Sequence, residues 1–267
     1  MERAKAAGWF GGLLVLGVAL GAAPGARSAA NGAAGPGNLQ SVAITYNLVA
    51  KGITVGTGTY SYNFKGDGYT GTATHRLIGF ARRIVGKRQD FSYSVSGDVT
   101  PDGKLRPRAY RHQGGSRNRI VTVDFGDRAV TTQANPTMGM GQPPATAAQK
   151  LNTIDQVTMM AALMVVARDP CNQKQRIFLE GRTRFDLDLN PAGTQNVNLE
   201  GYRGPAIRCS VRFQPVAGFT DPMEASTLTF LFAPSNGVFV PVQIQMPTEE
   251  AGLVRLEARR VSIVGTR

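Results

Sequence analysis

One pattern constrains this chain more than any other: apolar side chains at every second position, in run after run, broken by Gly and Asp. Val42, Ile44, Tyr46 and Leu48 alternate with small or polar residues. Tyr60, Tyr62 and Phe64 do the same and lead into Gly66-Asp67-Gly68. Val121, Val123 and Phe125 precede a second such turn. Leu228, Phe230 and Phe232, then Val240, Val242, Ile244 and Met246, repeat the pattern. Successive side chains of a strand point to opposite faces, so period two with one apolar face means antiparallel sheet with one side wet. Turn signals recur roughly every 8–15 residues. The fold expected is mainly β, an antiparallel up-and-down barrel or half-barrel.

Two segments break the rhythm. Residues 134–150, "ANPTMGMGQPPATAAQK", read as a Pro/Gly/Ala loop. The next stretch, "TIDQVTMMAALMVVARDP", is the one convincing helix. Thr153 and Gln156 have capping-box spacing, and Asp155 suits the positive end of a helix. Asp169-Pro170 predicts its stop, because a residue before proline avoids helical geometry. Val157–Ala167 carries no charge, and a helix apolar all round is buried. A curved sheet wrapped around, or capped by, this helix satisfies both patterns.

The charged stretch "RIFLEGRTRFDLDL" (176–189) reads as one strand. Ile177, Leu179, Phe185, Leu187 and Leu189 fall on one face; Glu180, Arg182, Arg184, Asp186 and Asp188 on the other. Gly181 marks a bend or bulge within it. "PAIRCSVRF" (205–213) has the same design, with Arg208 and Arg212 on its polar face. Side by side, Arg208 and Arg212 pair with Asp186 and Asp188, each pair contributing at most about 1 kcal/mol. The rival reading is a glycosidase-like carboxylate pair. Neighbouring arginines hold both aspartates ionised, which removes the general acid.

The chain opens with Arg3 and Lys5, then "WFGGLLVLGVALGAA", then "GARSAANG". This is a basic, then apolar, then small-residue sequence, expected to be a signal peptide over 1–30 cut near Ala30. An uncleaved anchor is the alternative, but the run falls short of the roughly 20 residues that span a bilayer. Residues 31–39 then form a flexible tether and 40–267 a single β-rich domain. No stable transmembrane segment remains after cleavage, and the location expected is periplasmic. Cys171 and Cys209 are the two cysteines of the chain; in an oxidising compartment they are expected to bridge, two free thiols being the alternative. The loop of about 39 residues makes such a bridge worth roughly 4 kcal/mol.

Removing 1–30 leaves a net charge of +10 out of +12. Most of it lies in 76–119, where eleven Lys and Arg face three Asp. Arg82, Arg83, Lys87, Arg88, Arg106, Arg108 and Arg111 are the candidate contacts for an anionic ligand. Export argues against nucleic acid; phospholipid head groups, lipopolysaccharide phosphates or acidic polymers fit better. A merely solvated basic face is the alternative. His75 and His112 have no ligand spacing, Met138 and Met140 read as loop filler rather than copper ligands, and no nucleophile or phosphate-loop motif is present. No metal and no cofactor is expected.

Several quoted segments also carry a likeness. "YNLVAKGITVGTGTYSY", "SGDVTPDGKLRPRAYRHQG", "LNTIDQVTMMAALM", "FLEGRTRFDL", "GYRGPAIRCSVRFQPVAGF" and "VFVPVQIQMPTEEAGLVRLEARRV" resemble the bacterial domain-of-unknown-function family 3108, proteobacterial branch, across nearly all of 40–264. The resemblance implies an exported envelope protein rich in antiparallel sheet, with no assigned activity and no catalytic residues to transfer. The function expected is non-enzymatic: a lipid-like or amphipathic anion bound on a concave apolar face, its charge met by the arginines of 76–119. A structural or interaction protein using the basic face is second, and a hydrolase acting on acidic glycan third.

Overall fold

The computed structural model describes residues 37–79, 81, 90–165, 169–249 and 251–265. The expected signal peptide, residues 31–36 of the tether, and Arg82, Arg83, Lys87 and Arg88 lie outside the described residues.

The alternating runs form thirteen strands in one sheet: β1 (Ser41–Ala50), β2 (Ile53–Lys65), β3 (Gly68–Leu77), β4 (Phe91–Val99), β5 (Leu105–Gly114), β6 (Arg119–Phe125), β7 (Val130–Asn135), β8 (Gln173–Leu179), β9 (Thr183–Asn198), β10 (Arg203–Ala217), β11 (Ser226–Ser235), β12 (Val238–Thr248) and β13 (Gly252–Val264). The order across the sheet is β7-β6-β5-β4-β3-β2-β1-β13-β12-β11-β10-β9-β8, antiparallel at every step. Strands β1 and β13 close the two halves of the chain on each other, Ser41 opposite Val264. The sheet is therefore an up-and-down half-barrel, open at one seam between β7 and β8.

Parity explains the seam. With thirteen strands alternating in direction, β7 and β8 run the same way. They are not joined as a ladder; the chain between them takes another course. A short helix, α1 (Ala147–Lys150), opens the detour. It is capped by Thr146, whose hydroxyl accepts from Gln149 N while the Gln149 side chain accepts from Thr146 N. The capping box thus sits in the stretch read as loop, not at Thr153 and Gln156. The chain then passes the free edge of β8, where Ile154 N donates to Arg176 O and Phe178 N donates to Ile154 O, both at 2.9 Å.

Inside the sheet lies α2 (Gln156–Met164), with Val157, Ala161, Leu163 and Met164 at 0% exposure. Asp155 is its cap: one carboxylate oxygen accepts from Val157 N and Thr158 N, the other from the Thr158 hydroxyl. Thr153 instead donates to Lys150 O, and Gln156 reaches Tyr110. The helix ends at Met164, before the expected Asp169-Pro170 stop. Tyr62 donates to Val157 O at 2.8 Å, and the Tyr69 hydroxyl bonds the Thr158 hydroxyl at 2.7 Å. These tyrosines fix the helix to the concave wall. Cys171 and Cys209 are bonded and wholly buried. Their bridge ties the segment entering β8 to the inner face of β10. No helix among the described residues is long and apolar enough to cross a membrane.

Candidate functional site: a cleft at the open seam

The stretch 176–189 is not one strand. Glu180 and Gly181 have φ of +52° and +69°, and Arg182 N donates to Leu179 O at 3.1 Å. Two consecutive residues with positive φ make the hairpin turn that matches strand twist. The turn splits the stretch into β8 and β9. Three residues, Glu180–Arg182, lie between the paired Leu179 and Thr183; a three-residue connection sets odd positions opposite odd ones, so the period ran through the reversal unbroken.

The polar face is also organised differently. Strands β9 and β10 are neighbours, with Arg212 opposite Asp188. The ion pairs, however, are Arg184–Asp186 at 2.6 Å and Lys174–Asp188 at 3.2 Å. Arg212 donates to Gln214 instead, and Arg208 falls at a register shift between Ile207 and Cys209. Arg184 is no wet-face residue: it is 2% exposed. Segment α1 covers it, its guanidinium donating to Gln149 O at 2.9 Å and to Phe185 O. Beside it, Lys150 lies over the Phe178 ring. Arg182 is the third residue of the turn and is half-buried.

On β5, Arg106 and Arg108 are held by acids. Asp127 accepts from Arg106 at 2.5 Å and from Arg108 at 2.9 Å, and Asp98 accepts from Arg108 at 2.5 Å. Arg111 is exposed and donates to Gln113. Of the candidate anion contacts that are described, only Arg106 lines a cavity.

That cavity is the lower part of the seam, a cleft of about 560 Å³. The β4–β5 and β6–β7 turns form one wall and the first residues of β8 the other. Leu105, Phe125, Val130, Ile154, Ala162 and Val165 give it apolar surface, the last two from α2 and its cap. Lys104, Arg106, Lys174 and Arg176 bring four cations to it, against Asp127 alone among acids. Lys104 pairs with Asp102, Arg106 with Asp127 and Lys174 with Asp188. Arg176 has no ion pair among the described residues; Asp186, opposite it on β9, is taken by Arg184. The cleft thus joins apolar depth to an uncompensated guanidinium. The volume is on the scale of small-molecule sites, roughly 300–1,000 Å³. Sequence reasoning missed Arg176 and Lys174, because an edge strand and an inner one share the same alternation.

The upper barrel holds a second polar group of residues. His75 accepts or donates to the Tyr60 hydroxyl at 2.8 Å, and His112 meets Tyr110 at 3.3 Å. Tyr93 lies against both imidazole rings. Burial pushes both histidines down to about 4, and nearby Arg119 and Arg111 add to this at His112. Both imidazoles are neutral at pH 7. Burial also lifts the Glu180 carboxyl to about 7, against the opposing pull of Arg182 and Arg119.

No family model, curated protein or solved structure matches the chain.

Proposed function

We propose that this protein is a non-catalytic binder of an amphipathic anion in the cell envelope, with the seam cleft as its site. The observation that carries this reading is the union of an apolar floor with four cations, one of them unpaired, in a single cleft. Arg176 takes the anionic group, since a planar guanidinium matches carboxylate or phosphate in two parallel hydrogen bonds. The apolar tail lies against Leu105, Phe125 and α2. The concave face itself is filled by α2, so the ligand site moves from the barrel interior to its open edge. Export to an oxidising compartment, the signal over 1–30 and the family resemblance belong to the same proposal; the buried disulfide supports them.

Dodecyl phosphate and dodecanol share a tail and differ in charge, which makes them a matched pair for titration by native mass spectrometry. Wild type is expected to retain dodecyl phosphate and to bind dodecanol at least tenfold more weakly. Arg176→Ala removes a charge-assisted contact of about 1.5–3 kcal/mol, a loss of roughly 10–100-fold. Equal binding of the two probes, or an unaffected Arg176→Ala variant, sinks the reading. The outer basic face is a weaker alternative, because Asp98 and Asp127 already neutralise Arg106 and Arg108.

A further inference from the structure

The cations of the seam cleft stand in two pairs, one on each wall. On β8, Lys174 and Arg176 are both exposed, while Ile177 is buried. Strand alternation turns Gln175 and Ile177 inward and sets Lys174 and Arg176 together on the outer lip of the cleft. On the opposite wall Lys104 and Arg106 flank the buried Leu105 and have the same spacing. Asp127 is the single acid of the lining, so the cleft carries 4 − 1 = +3. The ion pairs that hold three of these cations lie in solvent: the Lys104, Lys174 and Arg106 side chains are 80%, 81% and 43% exposed. Such pairs are weak, because water screens them and long side chains lose freedom to meet. An incoming anion can take them over. The backbone adds a further donor. Ile154 pairs with β8 as an isolated bridge opposite Ile177, through Arg176 O and Phe178 N. Asn152, at φ +55°, turns the chain away just before it. In an antiparallel ladder the N–H and C=O of one residue face the same side. Arg176 O faces the free edge, so Arg176 N–H faces it too, and it has no hydrogen bond among the described residues.

We propose that the head group taken by this cleft is a diphosphate, esterified to a long apolar alcohol and held between the two lips; this rests on the ligand reading above. The charge matches. The terminal phosphate of such an ester carries about −1.5 to −2 at pH 7 and the inner one about −1, a sum close to the +3 of the lining. A singly charged head group would leave most of that charge unanswered and would engage one lip alone. The inner phosphate meets the Arg176 guanidinium in two parallel hydrogen bonds and accepts a third from Arg176 N–H. The terminal phosphate bridges to Lys104 and Arg106, which exchange Asp102 and Asp127 for it. The alkyl chain passes between the lips to Phe125 and α2. A bound diphosphate ester therefore ties the start of β5 to the edge of β8 across the seam.

Dodecyl diphosphate, dodecyl phosphate, dodecanol and inorganic diphosphate, compared by native mass spectrometry with a metal chelator present, test the assignment. Wild type should bind dodecyl diphosphate at least about tenfold more tightly than dodecyl phosphate, the worth of one charge-assisted contact, and more tightly than inorganic diphosphate. Lys104→Ala/Arg106→Ala strips the far lip and should bring the two esters to within about threefold of each other, the scale of an exposed charge contact. Arg176→Ala should weaken both. Asp127→Asn removes the one acid of the lining and frees Arg106. It should favour the diphosphate by about a further threefold, a gain that a misfolded variant cannot imitate. Two esters bound alike by wild type, or a ratio left unchanged by the far-lip variant, overturns the diphosphate and leaves the amphipathic-anion reading standing. Inorganic diphosphate held as tightly as its dodecyl ester overturns the ester, the free ion being the ligand. Neither ester bound above dodecanol removes the ligand reading and the head group with it.

Discussion

Arg184 is a cation on the convex side of the sheet, sealed there by a four-residue helix. Its guanidinium serves three acceptors: Gln149 O, Phe185 O and the Asp186 carboxylate. Removing it leaves those acceptors unmet under α1. Arg184→Ala should therefore lower unfolding free energy by about 2–4 kcal/mol, a value reduced because Asp186 keeps partial access to water. Urea titration with an unchanged slope would show it, and a loss below about 0.5 kcal/mol would falsify the idea that Arg184 anchors α1. Gly181 makes the opposite case, where backbone rather than charge decides. Gly181→Ala combines positive φ with a clash against Thr132 and Val123. It should cost about 1–3 kcal/mol and raise exchange in β7.

At the level of elements, the disulfide and the helix cap make one unit. The Cys171–Cys209 bridge fixes the chain just after α2, and Asp155 fixes it just before. Replacing both cysteines with Ser should cost about 4 kcal/mol by loop-closure entropy. Treatment with reductant under mild denaturant should reproduce the same shift in midpoint; no shift in either would contradict the constraint. Strand content, the buried helix and the bridge were legible because each leaves a local mark: period two, an uncharged run, an even cysteine count. The hairpin at Glu180 was not, because its three-residue connection keeps Leu179 and Phe185 in one phase. The burial of Arg184 was equally hidden, since the Gln149 carbonyl covering it lies 35 residues upstream in a stretch that reads as loop. The cleft was illegible for a related reason. It depends on which strands end the sheet, and edge position leaves no periodic trace.

The whole molecule carries two opposed proton ledgers. His75 and His112 are pushed from 6.5 to about 4 by burial. The stability their neutral forms contribute is present in full above about 6.5 and is lost as pH falls towards 4. Glu180 acts the other way: burial raises its carboxyl, so the stability it contributes is lost as pH rises from 4.5 to about 7. The two histidines oppose Glu180 and the buried Asp155 carboxyl, which burial also raises, and between about 4.5 and 6.5 the histidine limb should make stability climb with pH. The maximum should fall near pH 6.5. Thermal denaturation of a His75→Gln/His112→Gln double variant should lose the acid limb and reverse the slope; an unchanged profile would place the acid sensitivity elsewhere.

The closure of β1 on β13 has a mechanical consequence. Ser41 and Val264 are direct antiparallel partners, and Gln40 N donates to Val264 O at 2.9 Å. A tension applied through residues 41 and 264 therefore acts across the strand pair, not along it. The ladder hydrogen bonds are loaded one pair at a time, as in a zip, and never share the load as they do in shear. Handles at these positions in an optical trap should peel β1 from β13 at low force, ahead of the strands bound by the Cys171–Cys209 bridge. Handles at Ala50 and Val264 instead load the same pair lengthwise and should raise the rupture force severalfold.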